Sequence, residues 1–214
     1  MEQYVRPAVA TREFRDDEGN VIPYGERWRV DSAPGEVYSV LTHPERFEPV
    51  HDIARALIAY LERTYDVTVS EDPELLFRVP GGFSPITAVG LTPVNQDAAP
   101  ITVVFTDLPG IALRAGALYV EPLPVCGCDA CDDTWEAVAD ELEWRVLAVV
   151  EGGFTERVTR GLRAHVGHTL TRADSWRGAE GRSGPDTTRR DLAAARSRLA
   201  TIDGAWAAWS PREP

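Results

Sequence analysis

Three thiols fall within six residues, Cys126-Gly127-Cys128-Asp129-Ala130-Cys131, and the chain has no other cysteine. An odd number packed so closely cannot make a set of structural disulfides, so free or metal-bound thiols are expected. Gly127 permits a turn sharp enough to aim the sulfurs on either side at one point. Thiolate is the form that ligates a metal or attacks a disulfide. Structural zinc takes four ligands, commonly four cysteines or three cysteines and a histidine. Cys126, Cys128 and Cys131 are therefore candidate metal ligands, and zinc is the candidate ion. The fourth ligand must come from elsewhere, with His43, His51, His165, His168 and Asp129 as candidates. His165 and His168 are three residues apart, so on one strand they face opposite sides and cannot both join the site.

Two rival readings stay open. Cys128-Asp129-Ala130-Cys131 ahead of a helix has the placement of a thioredoxin-like redox pair. Against it, the neighbouring elements lack a βαβ start, and Asp129, Asp132 and Asp133 should raise the thiol pKa values. Cys131 is expected at the N-terminal edge of the helix, where the dipole favours thiolate. In the third reading the cysteines are small structural residues without a ligand. The histidines also have plainer roles. His43 and His51 read as boundary residues of a helix, and His168, between Val166 and Leu170 on a period-two face, reads as a core histidine.

The elements that must position these residues follow from periodicity. Thr42-His43-Pro44-Glu45 has the form of a capping box, and Phe47, Val50, Ala54, Leu57, Ile58, Leu61 and Tyr65 make a helical stripe behind it. Val67–Val69, Leu75–Val79, Ile86–Leu91, Ile101–Phe105, Ile111–Ala115 and Leu118–Val120 read as strands of an antiparallel meander. A second helix is expected after the cysteines, capped by Asp132 or Asp133, with Trp135, Val138, Leu142, Val146 and Val149 as its core face. From Val158 to Leu170 apolar residues alternate, the mark of a long strand or hairpin. Residues 173–186, rich in Gly, Ser, Asp and Arg, read as a surface loop. Leu192, Ala195, Leu199 and Ile202 mark a third helix. The order helix, strands, helix, strands, helix gives an α+β class with an antiparallel sheet. One domain over residues 1–214 is expected, with residues 1–35 as an extended segment and residues 205–214 as a tail bearing Trp206 and Trp209.

Composition sets the outer limits. The chain has 214 residues, 43% apolar and 26% charged, with a net charge of −12. Such a balance excludes a disordered chain, a collagen and a disulfide scaffold. All 22 basic residues are arginine, so catalytic lysine, Schiff-base chemistry and a P-loop lysine are excluded. The acidic balance predicts no nucleic-acid partner and no anionic membrane partner. No apolar run approaches the ~20 residues of a membrane span, and the polar start Met1-Glu2 predicts no secretory leader.

The segments Val21-Ile22-Pro23-Tyr24-Gly25-Glu26-Arg27-Trp28, Val37-Tyr38-Ser39-Val40, His43-Pro44-Glu45-Arg46-Phe47, Tyr65-Asp66-Val67 and Cys126-Gly127-Cys128-Asp129-Ala130-Cys131-Asp132 together resemble a family of uncharacterised actinobacterial proteins with a domain of unknown function. The resemblance runs to about Trp209. It implies a bacterial, cytoplasmic protein and brings no catalytic residues with it.

One surface feature remains. Trp144 and Leu147 lie opposite the core face of the second helix, so this side is expected to meet either the Trp206–Trp209 tail or a partner. The reading that gathers these observations is a non-enzymatic binding domain with a protein or small-molecule partner, whose cysteine motif holds a structural zinc. The alternative is a redox or metal-dependent enzyme using the same three cysteines.

Overall fold

The structure is a computed structural model that describes residues 3–159, 164–173, 175–182 and 187–213. Its elements are α1 (Glu48–Thr64), β1 (Val67–Glu71), β2 (Pro85–Pro93), β3 (Ile101–Thr106), β4 (Ile111–Ala115), β5 (Tyr119–Leu123), α2 (Trp135–Val150), β6 (Phe154–Val158), β7 (His165–Arg172), β8 (Ser175–Arg182) and α3 (Arg189–Thr201). β1 to β5 form an antiparallel meander in chain order, and β6 to β8 form a second, three-stranded antiparallel sheet. The fold is therefore α+β, in the expected order of helices and strands.

The apolar stripes of α1 and α2 bury one face of the meander. Leu57, Leu61, Leu91, Ile101, Leu113, Leu142 and Val149 belong to one connected core, which also takes in Phe154 and Leu170 of the second sheet and Leu199 of α3. Leu142 is fully buried and borders an apolar void of about 10 Å³. Leu142→Ala enlarges that void and removes the transfer energy of the side chain, so a loss of about 2 to 5 kcal/mol is expected in denaturant unfolding. A loss under about 1 kcal/mol would show that α1 and the meander close over the gap.

Four expectations differ from the structure. Leu75–Val79 is not a strand: a 3-10 turn at Pro73–Leu75 precedes an extended stretch whose Leu76, Phe77 and Val79 cover the meander's second face, against Ala88, Val104 and Ala112. Its apolar residues signal burial, not pairing. The first helix begins at Glu48 after a 3-10 turn, Pro44–Phe47, and Thr42 caps nothing. α2 is capped by Thr134, whose hydroxyl accepts the amide of Ala137 at 3.2 Å. Within the expected loop 173–186, Ser175–Arg182 pairs with β7 along its whole length; residues 174 and 183–186 lie outside the described residues.

The tail runs between the two sheets. The amide of Trp206 donates to the carbonyl of Phe154 (3.0 Å), that of Ala207 to Asp97 (2.9 Å) and that of Trp209 to Val150 (2.9 Å). Both tryptophans are buried, Trp206 stacked on Phe154 and Trp209 edge-on to Tyr65. At the other end of the chain, Tyr4 packs on Tyr60 and donates to Glu143, while Arg6 pairs with Glu143 and Asp140. The N-terminal segment thus lies across α1 and α2.

Candidate metal centre

The loop between β5 and α2 carries all three cysteines. The Sγ atoms of Cys126, Cys128 and Cys131 lie within 4.8 Å of one another, and Cys128 and Cys131 are 3.5 Å apart. Cys128 is buried, whereas Cys126 and Cys131 are exposed. A tetrahedral zinc with Zn–S bonds of about 2.3 Å places its sulfurs roughly 3.8 Å apart, inside this range. Gly127 makes the turn at φ 77°, with Leu108, Pro124 and Phe47 packed where a side chain would project. A Cβ here would be strained by the backbone and crowded by three neighbours.

The loop is held by side chains from segments far apart in the chain, which no local pattern joins. Asp129 turns its carboxylate away from the sulfurs: it accepts the amide of Thr42 at 3.2 Å and its hydroxyl at 2.8 Å, and lies 3.8 Å from Arg27 and 3.7 Å from Arg46. Asp132, in the left-handed region at φ 55°, accepts both the backbone amide and Nε of Arg27. The carbonyl of Asp129 accepts Arg27 at 2.8 Å and the indole of Trp28 at 3.0 Å. Arg46 is buried and donates to the carbonyls of Gly127 (2.7 Å), Thr42 and Asp133 (3.4 Å). Both Arg27 and Arg46 stack on the Tyr24 ring at 4.4 Å. Three segments distant in sequence, around Tyr24–Trp28, Thr42–Phe47 and Cys126–Asp132, therefore meet at one place.

The thiols of Cys128 and Cys131 move in opposite directions, and the largest causes are burial and hydrogen bonds in the loop; Asp129 pairs with Arg27 and Arg46, and Asp132 with Arg27. Burial raises the Cys128 thiol, but hydrogen bonds involving Cys126, the amides of Cys131 and Ser39, and Cys131 itself outweigh it and bring the thiol down to about 7. Burial, then hydrogen bonding to Cys128 and Cys126, pushes Cys131 up to about 12. Cys131 stands four residues ahead of Trp135, outside the first turn of α2, so the helix dipole does not reach it as expected. Of Cys128 and Cys131, Cys128 ionises first.

None of the proposed fourth ligands joins the cluster among the described residues. His43 uses both ring nitrogens, 3.1 Å from Glu45 and 3.0 Å from the carbonyl of Arg15. His51 bonds the carbonyl of Gly110 at 2.8 Å with its ring against Phe105, and burial lowers its pKa. His168 is half-buried against Tyr119, and burial lowers its pKa too. His165 is exposed at the start of β7. Asp129 is committed to Thr42 and the arginines. With Cys126 and Cys131 exposed, solvent reaches the open side of the three sulfurs.

The family model for DUF6226 matches residues 10–213, nearly the whole chain and all of this loop. The chain belongs to this family. It is described as a family of unknown function. No curated protein and no solved structure matches the chain.

Trp144 is covered from within the chain, by β8 and not by the tail. Its indole donates to the Ser175 hydroxyl at 3.1 Å, and Arg177 stacks on the ring at 4.3 Å. Leu147 is half-buried beside it against the core. Trp206 and Trp209 are buried elsewhere. The exposed aromatic of this region is Trp176 on β8.

Proposed function

We propose that this protein is a non-enzymatic binding domain in which Cys126, Cys128 and Cys131 hold a structural zinc ion. The observation that carries the reading is the convergence of three sulfurs within 4.8 Å on a loop fixed by Arg27 and Arg46. Soft thiolates select zinc over hard cations, and the three sulfurs supply three of its four positions, with the fourth on the exposed side. Bound metal cross-links the Cys126–Cys131 turn, which Arg27 and Trp28 of the N-terminal segment already hold from outside. The compartment is reducing, which keeps the thiols available, and nucleic acid is not a partner of so acidic a chain. Among the described residues no helix is long and apolar enough to cross a membrane.

Protein purified without added metal should contain about one zinc per chain, with its thiols protected from a thiol reagent. Cys128→Ser should abolish stoichiometric zinc and lower the melting temperature. Metal-free protein with fast-reacting thiols would overturn the reading.

A second reading rests on the 3.5 Å approach of Cys128 and Cys131. With a disulfide oxidant such as oxidised glutathione, the Cys128 thiolate attacks one sulfur and releases glutathione thiolate. Cys131, as thiolate, then displaces the second glutathione and closes the intramolecular disulfide. An unchanged number of titratable thiols after treatment with oxidised glutathione would exclude it; loss of two titratable thiols from metal-free protein would favour it.

A further inference from the structure

We propose that the cleft between the outer face of the meander and α3 binds a small amphiphilic anion, with its acidic group on Arg114. The cleft has a volume of about 1180 Å³ and lies on none of the cysteine-loop residues. That size and concavity fit a small molecule better than a flat protein partner.

Its walls divide by chemistry. Pro80, Pro93, Pro100, Val79, Leu118 and Val120 supply apolar surface. Arg78, Arg114 and Arg198 also line it, against the single carboxylate of Asp191. Arg198 is engaged, with Asp97, the carbonyl of Gln96 and the Trp206 ring. Asp191 is engaged too, closing the capping box of α3 with Thr188.

Arg114 differs. It projects from β4 and its guanidinium lies 3.8 Å from the centre of the Phe77 ring. Among the described residues it has no hydrogen bond and no carboxylate within ion-pair distance, and Asp191 acts on it only through space. Burial lowers its pKa, as expected of a cation partly removed from water without a partner. A guanidinium held flat by an aromatic ring keeps its edge free for bidentate bonds to a carboxylate or phosphate. The apolar walls then take the body of the same molecule. Ligand binding restores to Arg114 the partner that folding withholds.

Titration calorimetry with decanoate below its micelle concentration tests the proposal, with inorganic phosphate and decyltrimethylammonium as the other probes. Decanoate should bind one per chain, and phosphate alone at least tenfold more weakly for want of an apolar body. Decyltrimethylammonium should not bind. Arg114→Gln should weaken decanoate at least tenfold, and Arg114→Lys by less, since lysine keeps the charge but not the stacked bidentate fork, both variants retaining a cooperative melt. Equal decanoate binding by Arg114→Gln, or none by the wild type, would overturn it. Tighter binding of phosphate than of decanoate would overturn the amphiphile and leave a bare anion site. Zinc content is measured on the same samples, so failure here leaves the metal reading standing.

Discussion

Glu156→Ala is expected to destabilise the fold by about 3 to 5 kcal/mol, the range for stripping a partner from a buried charge network. Glu156 is buried on β6, and one carboxylate serves four donors. One oxygen accepts the amide of Ala117 (2.7 Å) and the indole of Trp206 (2.9 Å); the other accepts the amides of Leu118 (2.9 Å) and Tyr119 (3.0 Å). It thereby joins the turn of the meander to the second sheet and to the tail. Gly116 belongs to the same device: at φ 60° a Cβ would stand 2.2 Å from the carboxylate. Burial raises the pKa of Glu156 despite the three amides and the indole that favour its charged form. Alanine leaves all four donors unsatisfied in a closed space, and the Trp206 ring loses its anchor. Glutamine keeps one acceptor oxygen but presents an NH₂ to the other two donors, so it should lose roughly half as much. Denaturant unfolding and Trp206 quenching measure both variants. A loss below about 1 kcal/mol for alanine would show that water replaces the carboxylate.

This site marks where the sequence was legible and where it was not. The alternation Phe154-x-Glu156-x-Val158 places a charge on an apolar face, and that is the signal of a buried carboxylate. The donors that satisfy it lie about forty residues back in a turn and fifty ahead in the tail, where no local pattern points to them. The helices were readable because α1 and α2 each bury one face at helical spacing, and the cysteines because metal-ligand spacing is local. β8 was not readable. It is the edge of a small sheet, largely exposed on both sides, so no period-two apolar signal survives among its Gly, Ser and Arg residues. Leu75–Val79 misled for the opposite reason, being apolar to cover a sheet without joining it. The aspartates of the cysteine motif looked like neighbours of the sulfurs. Their partners, Arg27 and Arg46, come from other segments, and only the folded chain shows that they turn the charge away.

Arg46→Ala should weaken zinc at the proposed cysteine site at least tenfold without touching a ligand, and should unfold the protein about 3 to 5 kcal/mol more easily. Arg46 is 3% exposed. Its guanidinium is the post around which the loop closes: Nη2 donates to Gly127 at 2.7 Å, Nη1 to Thr42 and to His43 at 3.4 Å, and Nε to Asp133 at 3.4 Å. Its faces meet Tyr24 and Phe47, each 4.4 Å away. The carbonyl of Gly127 sits between two of the sulfur-bearing residues, so freeing it frees the turn that brings them together. Asp129, 3.7 Å from the guanidinium, would be left buried with Arg27 alone. Lysine should not rescue, because one ammonium cannot reach carbonyls on two sides of a planar fork. Competition with a chromophoric chelator should show zinc affinity reduced at least tenfold in Arg46→Ala, with all three thiols intact. The combination with Cys128→Ser should lose less stability than the two single losses added, since both act on one loop. Full additivity, together with unchanged zinc affinity, would mean that Arg46 supports the core alone and that the loop holds its sulfurs without it.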